Sequence, residues 1–188
     1  MSALLVSTFV VAVAEIGDKT QLLSLLLATR LRRPLPIIAG IAVATLANHW
    51  LAGLAGEWVR AQLGADALRW AVGLSMLAIA AWALRPDRYE GDVRQRGRWG
   101  AFAVTCTAFF LVEIGDKTQI ATVVLAAQYH ALAAVVLGTT AGMLIANAPV
   151  VMFAHRFTDR LPIRWVRIGA SAMFAALGVL ALSGYVAT

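Results

Sequence analysis

Cysteine is nearly absent from this 188-residue chain: Cys106 stands alone, so no intrachain disulfide and no cysteine-built metal centre can form. Lysine occurs only twice and histidine three times, and all charged residues together make up 14% of the chain. Hydrophobic residues make up 61%, a balance foreign to soluble globular domains and expected of an integral membrane protein. The net charge of +6 does not signal nucleic acid. The 14 arginines lie between apolar runs rather than along a basic stripe interleaved with aromatics, so a nucleic-acid partner is excluded. The N-terminal segment lacks a positive start and an A-x-A-like site, and it contains Glu15, Asp18 and Lys19. It reads as a retained membrane helix rather than a cleaved signal.

Apolar runs of about 20 residues, the length needed to cross a bilayer, recur six times: roughly Ala3–Thr29, Leu35–Val59, Ala67–Leu84, Gly100–Gln128, Ala131–Ala154 and Ile163–Tyr185. The expected fold is an all-α integral membrane protein with six transmembrane helices. Trp58, Trp70, Trp82, Trp99 and Trp165 fall near segment ends, as an interfacial belt requires. Twelve arginines lie in or beside the loops after the first, third and fifth segments, against Arg60 and Arg69 on the other side. The positive-inside rule then places both termini outside the cytoplasm and the arginine-rich segment 85–98 inside it.

Both lysines belong to one heptapeptide that occurs twice. Glu-Ile-Gly-Asp-Lys-Thr-Gln spans Glu15 to Gln21 and recurs unchanged from Glu113 to Gln119. The same shift of 98 positions aligns Ala28 with Ala126 and Gly40 with Gly138, and a slightly shorter one aligns Gly73 and Ser75 with Gly169 and Ser171. The expected organisation is a three-helix repeat over 1–84, a cytoplasmic linker over 85–98 and a second repeat over 99–188, together one transport domain. Three helices per repeat is an odd number, so the second repeat enters from the opposite face, as in inverted-repeat secondary transporters with sites near the midplane.

On a continuous helix Glu15, Asp18 and Gln21 form one stripe, and so do Glu113, Asp116 and Gln119. An acid or lysine at the bilayer centre costs about 2.5–3.5 kcal/mol on insertion scales, so these groups must face one another or water. Four carboxylates and two lysines sum to −2, which one divalent cation or two protons would cancel. Carboxylate and amide oxygens suit hard cations such as Mn²⁺, Ca²⁺ or Mg²⁺. Glu15, Asp18, Glu113 and Asp116 are the candidate metal ligands. Gln21, Gln119, Asn48 and Asn147 are candidates for further ligands or for orienting those carboxylates. Lys19 and Lys117 are candidates for charge tuning, since an ammonium has no lone pair. Gly17 and Gly115 either admit a close neighbour or let the helix unwind to offer carbonyls. The plainer alternative is that the acids and lysines are ion pairs that only fix helix packing; two identical copies in opposed halves weigh against it. The pairs Gly138–Gly142 and Gly40–Ala44 read as close-packing surfaces. Cys106, on the face of Glu113, is either a soft ligand or an apolar filler. Ser7 and Thr105 are either pathway or packing hydroxyls, and His49 is a candidate proton relay.

A doubled E-x-G-D-K-[TS] motif on the first and fourth of six helices resembles the manganese and calcium transporter family that includes the Golgi cation/proton exchangers, the chloroplast manganese transporters and the MneA-type bacterial manganese exporters. The resemblance spans the whole chain. It implies a secondary-active cation transporter with Glu15, Asp18, Glu113 and Asp116 as its site, coupled to protons or another gradient. It also implies transported Mn²⁺ or Ca²⁺ rather than a permanently bound cofactor, and a multi-pass protein of the bacterial inner membrane, since the N-terminal extensions of eukaryotic members are missing. An exporter of amino acids or other small organic solutes is the alternative, although no apolar side-chain pocket motif supports it. An intramembrane hydrolase is disfavoured, because no arginine lies at depth to bind phosphate, and no enzymatic activity is expected.

Overall fold

The computed structural model describes residues 2–85, 100–154 and 163–183. Among them the chain is helical throughout: α1 (Ala3–Glu15), α2 (Lys19–Leu31), α3 (Pro34–Gln62), α4 (Ala65–Ala83), α5 (Ala101–Glu113), α6 (Lys117–Gln128), α7 (Leu132–Met152) and α8 (Ile163–Leu182). Three of these, α3, α4 and α7, are long and apolar enough to cross a membrane. Shorter apolar helices accompany them: α1, α5 and the Arg167–Leu182 part of α8. Most of the linker expected at 85–98, with Trp99, His155, Arg156 and Arg160, lies outside the described residues.

The structure corrects the first and fourth expected helices. Neither Ala3–Thr29 nor Gly100–Gln128 is continuous; each is cut in two inside the heptapeptide, between Glu15 and Lys19 and between Glu113 and Lys117. The acidic side chains therefore do not form a helical stripe.

α1 packs against α7, α3 against α5, and α4 against α8. Glycines set how closely the first two pairs approach. A Cβ on Gly138 would lie 2.5 Å from the Leu4 carbonyl oxygen and 3.0 Å from the Ser7 Cβ. A Cβ on Gly40 would lie 2.8 Å from both the Phe102 carbonyl oxygen and the Thr105 Cβ. These contacts are related by the same 98-residue shift as the heptapeptides. Gly142 likewise faces the Thr8 carbonyl, so the small-residue pairs are packing surfaces. α4 meets α8 where Gly73 faces Leu182 and Gly178. Pro149 lies inside α7 near its end, and the helix continues past it to Met152.

Two buried apolar clusters hold the bundle. One joins Val6, Val10, Met76, Leu125, Val135 and Phe174. The other joins Val11, Leu23, Ile41, Phe109 and Met143, with half-buried Cys106 packed beside it as an apolar filler. Large apolar side chains such as Phe9, Leu51, Trp58, Trp70, Ile145 and Trp165 are exposed on the outside, where a membrane protein meets lipid.

Replacing Gly138 by valine should force α1 away from α7 and destabilise the protein by about 1–3 kcal/mol, the usual cost of overpacking. Gly64→Ala, where a Cβ meets nothing within 4 Å, is the control and should be near neutral. Thermal unfolding of the detergent-purified variants measures both, and equal melting temperatures would contradict the packing account.

Candidate metal centre

Each break in the helices is a four-residue turn. Ile16 (φ −66°, ψ 117°) is followed by Gly17 at φ 79°, and the Asp18 amide donates to the Glu15 carbonyl at 3.1 Å. Ile114 (φ −60°, ψ 122°) is followed by Gly115 at φ 74°, and the Asp116 amide donates to the Glu113 carbonyl at 3.1 Å. These are type II turns, whose third residue must take a positive φ and so is glycine. The sequence left open what the glycines do; here they unwind the helix. The unwinding does not release the Glu15 and Glu113 carbonyls, because the turns use them.

Gln21 and Gln119 fasten the turns. The Gln21 amide oxygen accepts from the Gly17 N–H at 2.9 Å, and its NH₂ donates to the Ala146 carbonyl on α7 at 3.2 Å. Gln119 accepts from the Gly115 N–H at 2.6 Å and donates to Asn48 Oδ1 on α3 at 2.8 Å. Asn48 in turn donates to the Phe110 carbonyl at 2.9 Å. Asn147 accepts from Ser24 at 2.6 Å and donates to the Met143 carbonyl at 3.1 Å. All four amides are hydrogen-bonded to protein.

After each turn a new helix begins, with Asp18 at the N-cap of α2, where its side chain accepts from the Lys19 N–H, and Asp116 at the N-cap of α6. A carboxylate at the N-cap lies at the positive end of the helix dipole, which stabilises its charge where solvent is absent. The two caps are then paired crosswise. Lys19 Nζ lies 3.0 Å from Asp116 Oδ1, and Lys117 Nζ lies 3.1 Å from Asp18 Oδ2. Each lysine reaches the aspartate of the other repeat. Lys117 is buried, whereas the Lys19 side chain is 23% exposed, so the two pairs are not equally sealed.

Glu15, Asp18 and Asp116, all buried, each bring one carboxylate oxygen within 4.8 Å of the others. One Glu15 oxygen accepts from Thr20 Oγ1. The other, Oε1, is buried without a hydrogen-bond partner among the described residues. Three hard oxygens from two half-helix junctions can hold a divalent cation, with Lys19 and Lys117 as its competitors for the aspartates.

Glu113, the fourth expected ligand, does not join this group. Its Oε1 lies 2.7 Å from His49 Nε2, and Oε2 lies 3.3 Å from the Thr45 hydroxyl. His49 Nδ1 is 2.8 Å from Thr139 Oγ1, and that hydroxyl donates its one proton to the Val136 carbonyl at 3.1 Å. His49 thus bridges Thr139 and Glu113 through its two ring nitrogens. The sequence charge count of −2 omitted this imidazole. The sequence did hold a signal: the 98-residue shift sets His49 opposite Asn147, an imidazole at depth in one half only. Of the other candidates, Ser7 Oγ is buried without a hydrogen-bond partner and Thr105 donates to the Ala101 carbonyl, away from the acids. His130, at the surface, bonds Arg60.

A Cβ on Gly115 would meet nothing within 4 Å, so Gly115→Ala tests the backbone conformation alone. It should cost about 1–2 kcal/mol for a left-handed L-residue, and Gly115→Asn should cost less. Thermal unfolding checks the order; an alanine variant as stable as the parent would mean that the turn is not required.

The chain is 49% identical over 180 residues to a protein of Vibrio cholerae serotype O1 described as a candidate manganese exporter, with 95% of this chain and 90% of that one covered. No solved structure matches the chain significantly. The sequence profile of the GDT1 divalent cation/proton antiporters matches it in two stretches, residues 3–91 and 101–187. The chain belongs to the GDT1 family of divalent cation/proton antiporters.

Proposed function

We propose that this protein is a secondary-active exporter of Mn²⁺ that exchanges the metal for protons at the carboxylate cluster between its two broken helices. The observation that carries this reading is the convergence of Glu15, Asp18 and Asp116 within 4.8 Å, with an unpartnered Glu15 oxygen among them. The Vibrio relative's name points to the same metal. Ca²⁺ fits the same oxygen donors and is a second cargo; amino acids are not favoured, because the family is one of divalent cation/proton antiporters. The metal is cargo, and nothing in this reading requires a permanently bound cofactor or an enzymatic step.

The transport domain is an inverted pair of three-helix repeats, 1–84 and 99–188, in six membrane spans joined by the cytoplasmic segment 85–98. Two features support this: the paired glycine contacts spaced by 98 residues, and the two separate stretches matched by the family profile. With the arginine bias of the loops, both termini face outward from a bacterial inner membrane.

The residues divide the work as follows. Glu15, Asp18 and Asp116 take the ion, and Glu113 belongs to the same site but is held aside in this conformation. Lys19 and Lys117 occupy the aspartates when the ion is gone, so the emptied cluster does not carry three bare negative charges. Protons on the carboxylates complete the neutralisation during the return step, because an uncompensated charge moving through a low-dielectric interior is costly. Gln21 and Gln119 keep both turns shaped while the lysines move.

The test is transport in proteoliposomes containing a pH-sensitive dye, with Mn²⁺, Ca²⁺ or an amino acid supplied in turn. Mn²⁺ movement should be accompanied by proton flux in the opposite direction, and amino acids should not move. Asp18→Asn and Asp116→Asn should reduce Mn²⁺ flux to background while the protein still purifies folded. Parental flux in either variant, or Mn²⁺ movement without counterflow of protons, would refute the reading.

A further inference from the structure

The two heptapeptides are identical, yet their glutamates are held differently. Glu15 lies in the carboxylate cluster with one oxygen unpartnered, whereas both oxygens of Glu113 are held, by His49 and by Thr45. The difference cannot come from the motif. It comes from α3 and α7, the helices that cross the motifs. In the register set by Gly40 and Gly138, His49 on α3 corresponds to Asn147 on α7. The register also holds in space: Gln119 bonds Asn48 where Gln21 bonds Ala146, one residue before each. Asn147 turns to Ser24 and the Met143 carbonyl and leaves Glu15 alone, whereas His49 reaches Glu113.

We infer that His49, braced by Thr139, is a positioning residue that keeps Glu113 out of the cation cluster, so that the site holds the ion with three carboxylates rather than four and can release it. The inference rests on the cation-site reading above and deepens it. His49 is fully buried, its Nδ1 lies 2.8 Å from Thr139 Oγ1 and its Nε2 lies 2.7 Å from Glu113 Oε1, and Thr139 donates in turn to the Val136 carbonyl, so the clasp has a defined geometry. Divalent-cation affinity rises with the number of charged oxygen ligands. A fourth carboxylate would tighten binding and slow release, which an exporter that must discharge its cargo cannot tolerate. The arrangement is one-sided: only one half carries the clasp, so the two glutamates have unequal roles in a site built from equal motifs.

The experiment measures Mn²⁺ binding to detergent-purified protein by calorimetry, together with KM and maximal rate in proteoliposomes, for His49→Asn, Thr139→Val, Asp18→Asn and the double variant His49→Asn/Glu113→Gln. Release of Glu113 into the cluster should make His49→Asn bind Mn²⁺ about tenfold more tightly, as an added charged ligand does. KM should fall, and the maximal rate should fall with it. Thr139→Val, which removes only the brace, should move affinity in the same direction by less. Adding Glu113→Gln should return the affinity to the parental value, because the gain comes from that carboxylate; a merely structural role for His49 predicts none of these reversals. Unchanged or weaker binding in His49→Asn, or a gain that survives Glu113→Gln, overturns the inference. If His49→Asn does not purify folded, Thr139→Val decides: tighter binding upholds the inference and unchanged binding overturns it. Parental Mn²⁺ binding by Asp18→Asn would instead show the cation-site reading itself to be wrong, whatever His49 does.

Discussion

The structure depends on the exchange of charges between its halves, Lys19 with Asp116 and Lys117 with Asp18. Away from water an unpaired ammonium or carboxylate is prohibitively unfavourable, and a pair is tolerated only when it is close and further hydrogen-bonded. Each half carries one aspartate and one lysine side by side, and each of these charges pairs with the other half rather than with its neighbour. The crossed arrangement ties two similar bodies face to face and sets the distance between their broken helices. Because it is made of ion pairs rather than packed hydrocarbon, it is also the part of the interface that a divalent cation can replace. On the function proposed above, the contacts that hold the halves together are those that the cargo competes with.

The glycine turns make that competition possible. In an unbroken helix the backbone amides of the heptapeptide would be consumed by carbonyls four residues earlier, and Asp18 and Asp116 would be ordinary side chains on a helix flank. Breaking the helix makes each aspartate an N-cap, so the field of the following helix supports its negative charge. The freed backbone must then be satisfied away from water. Gln21 and Gln119 do this within the motif and also tie each turn to the crossing helix, α7 or α3. The final glutamine of the heptapeptide is therefore as structural as the glycine, although by residue type it looks like a ligand.

Much of this was legible in the sequence, and the parts that were not share a cause. The repeat could be seen because seven residues are identical, and the apolar segments because hydrophobic length is a one-dimensional property. The acids could be recognised as a site because their cost in a bilayer demands partners. The helix breaks were not legible, since a glycine in an apolar run serves close packing or unwinding equally well; Gly40 and Gly138 do the first, Gly17 and Gly115 the second. Glu113 was expected beside the other three carboxylates because its local sequence matches that of Glu15. Its placement is decided by His49, 64 positions away on another helix, and pairing over that distance leaves no local trace. Asn48 and Asn147 were legible as polar groups inside apolar helices, but not the partners they bond on other helices.

The crossed pairs also bear on how the chain is made. A ribosome delivers α1 and α2 to the membrane long before α5 and α6 exist, so Asp18 and Lys19 enter the bilayer roughly 98 residues ahead of their partners. At about 5–20 residues per second that is an interval of several seconds. During it the Asp18 and Lys19 charges lack the partners they have in the finished fold, and water or the insertion machinery must shelter them. The first half is thus an incomplete product that matures only when its sibling arrives, and the timing of synthesis is part of what folds this protein.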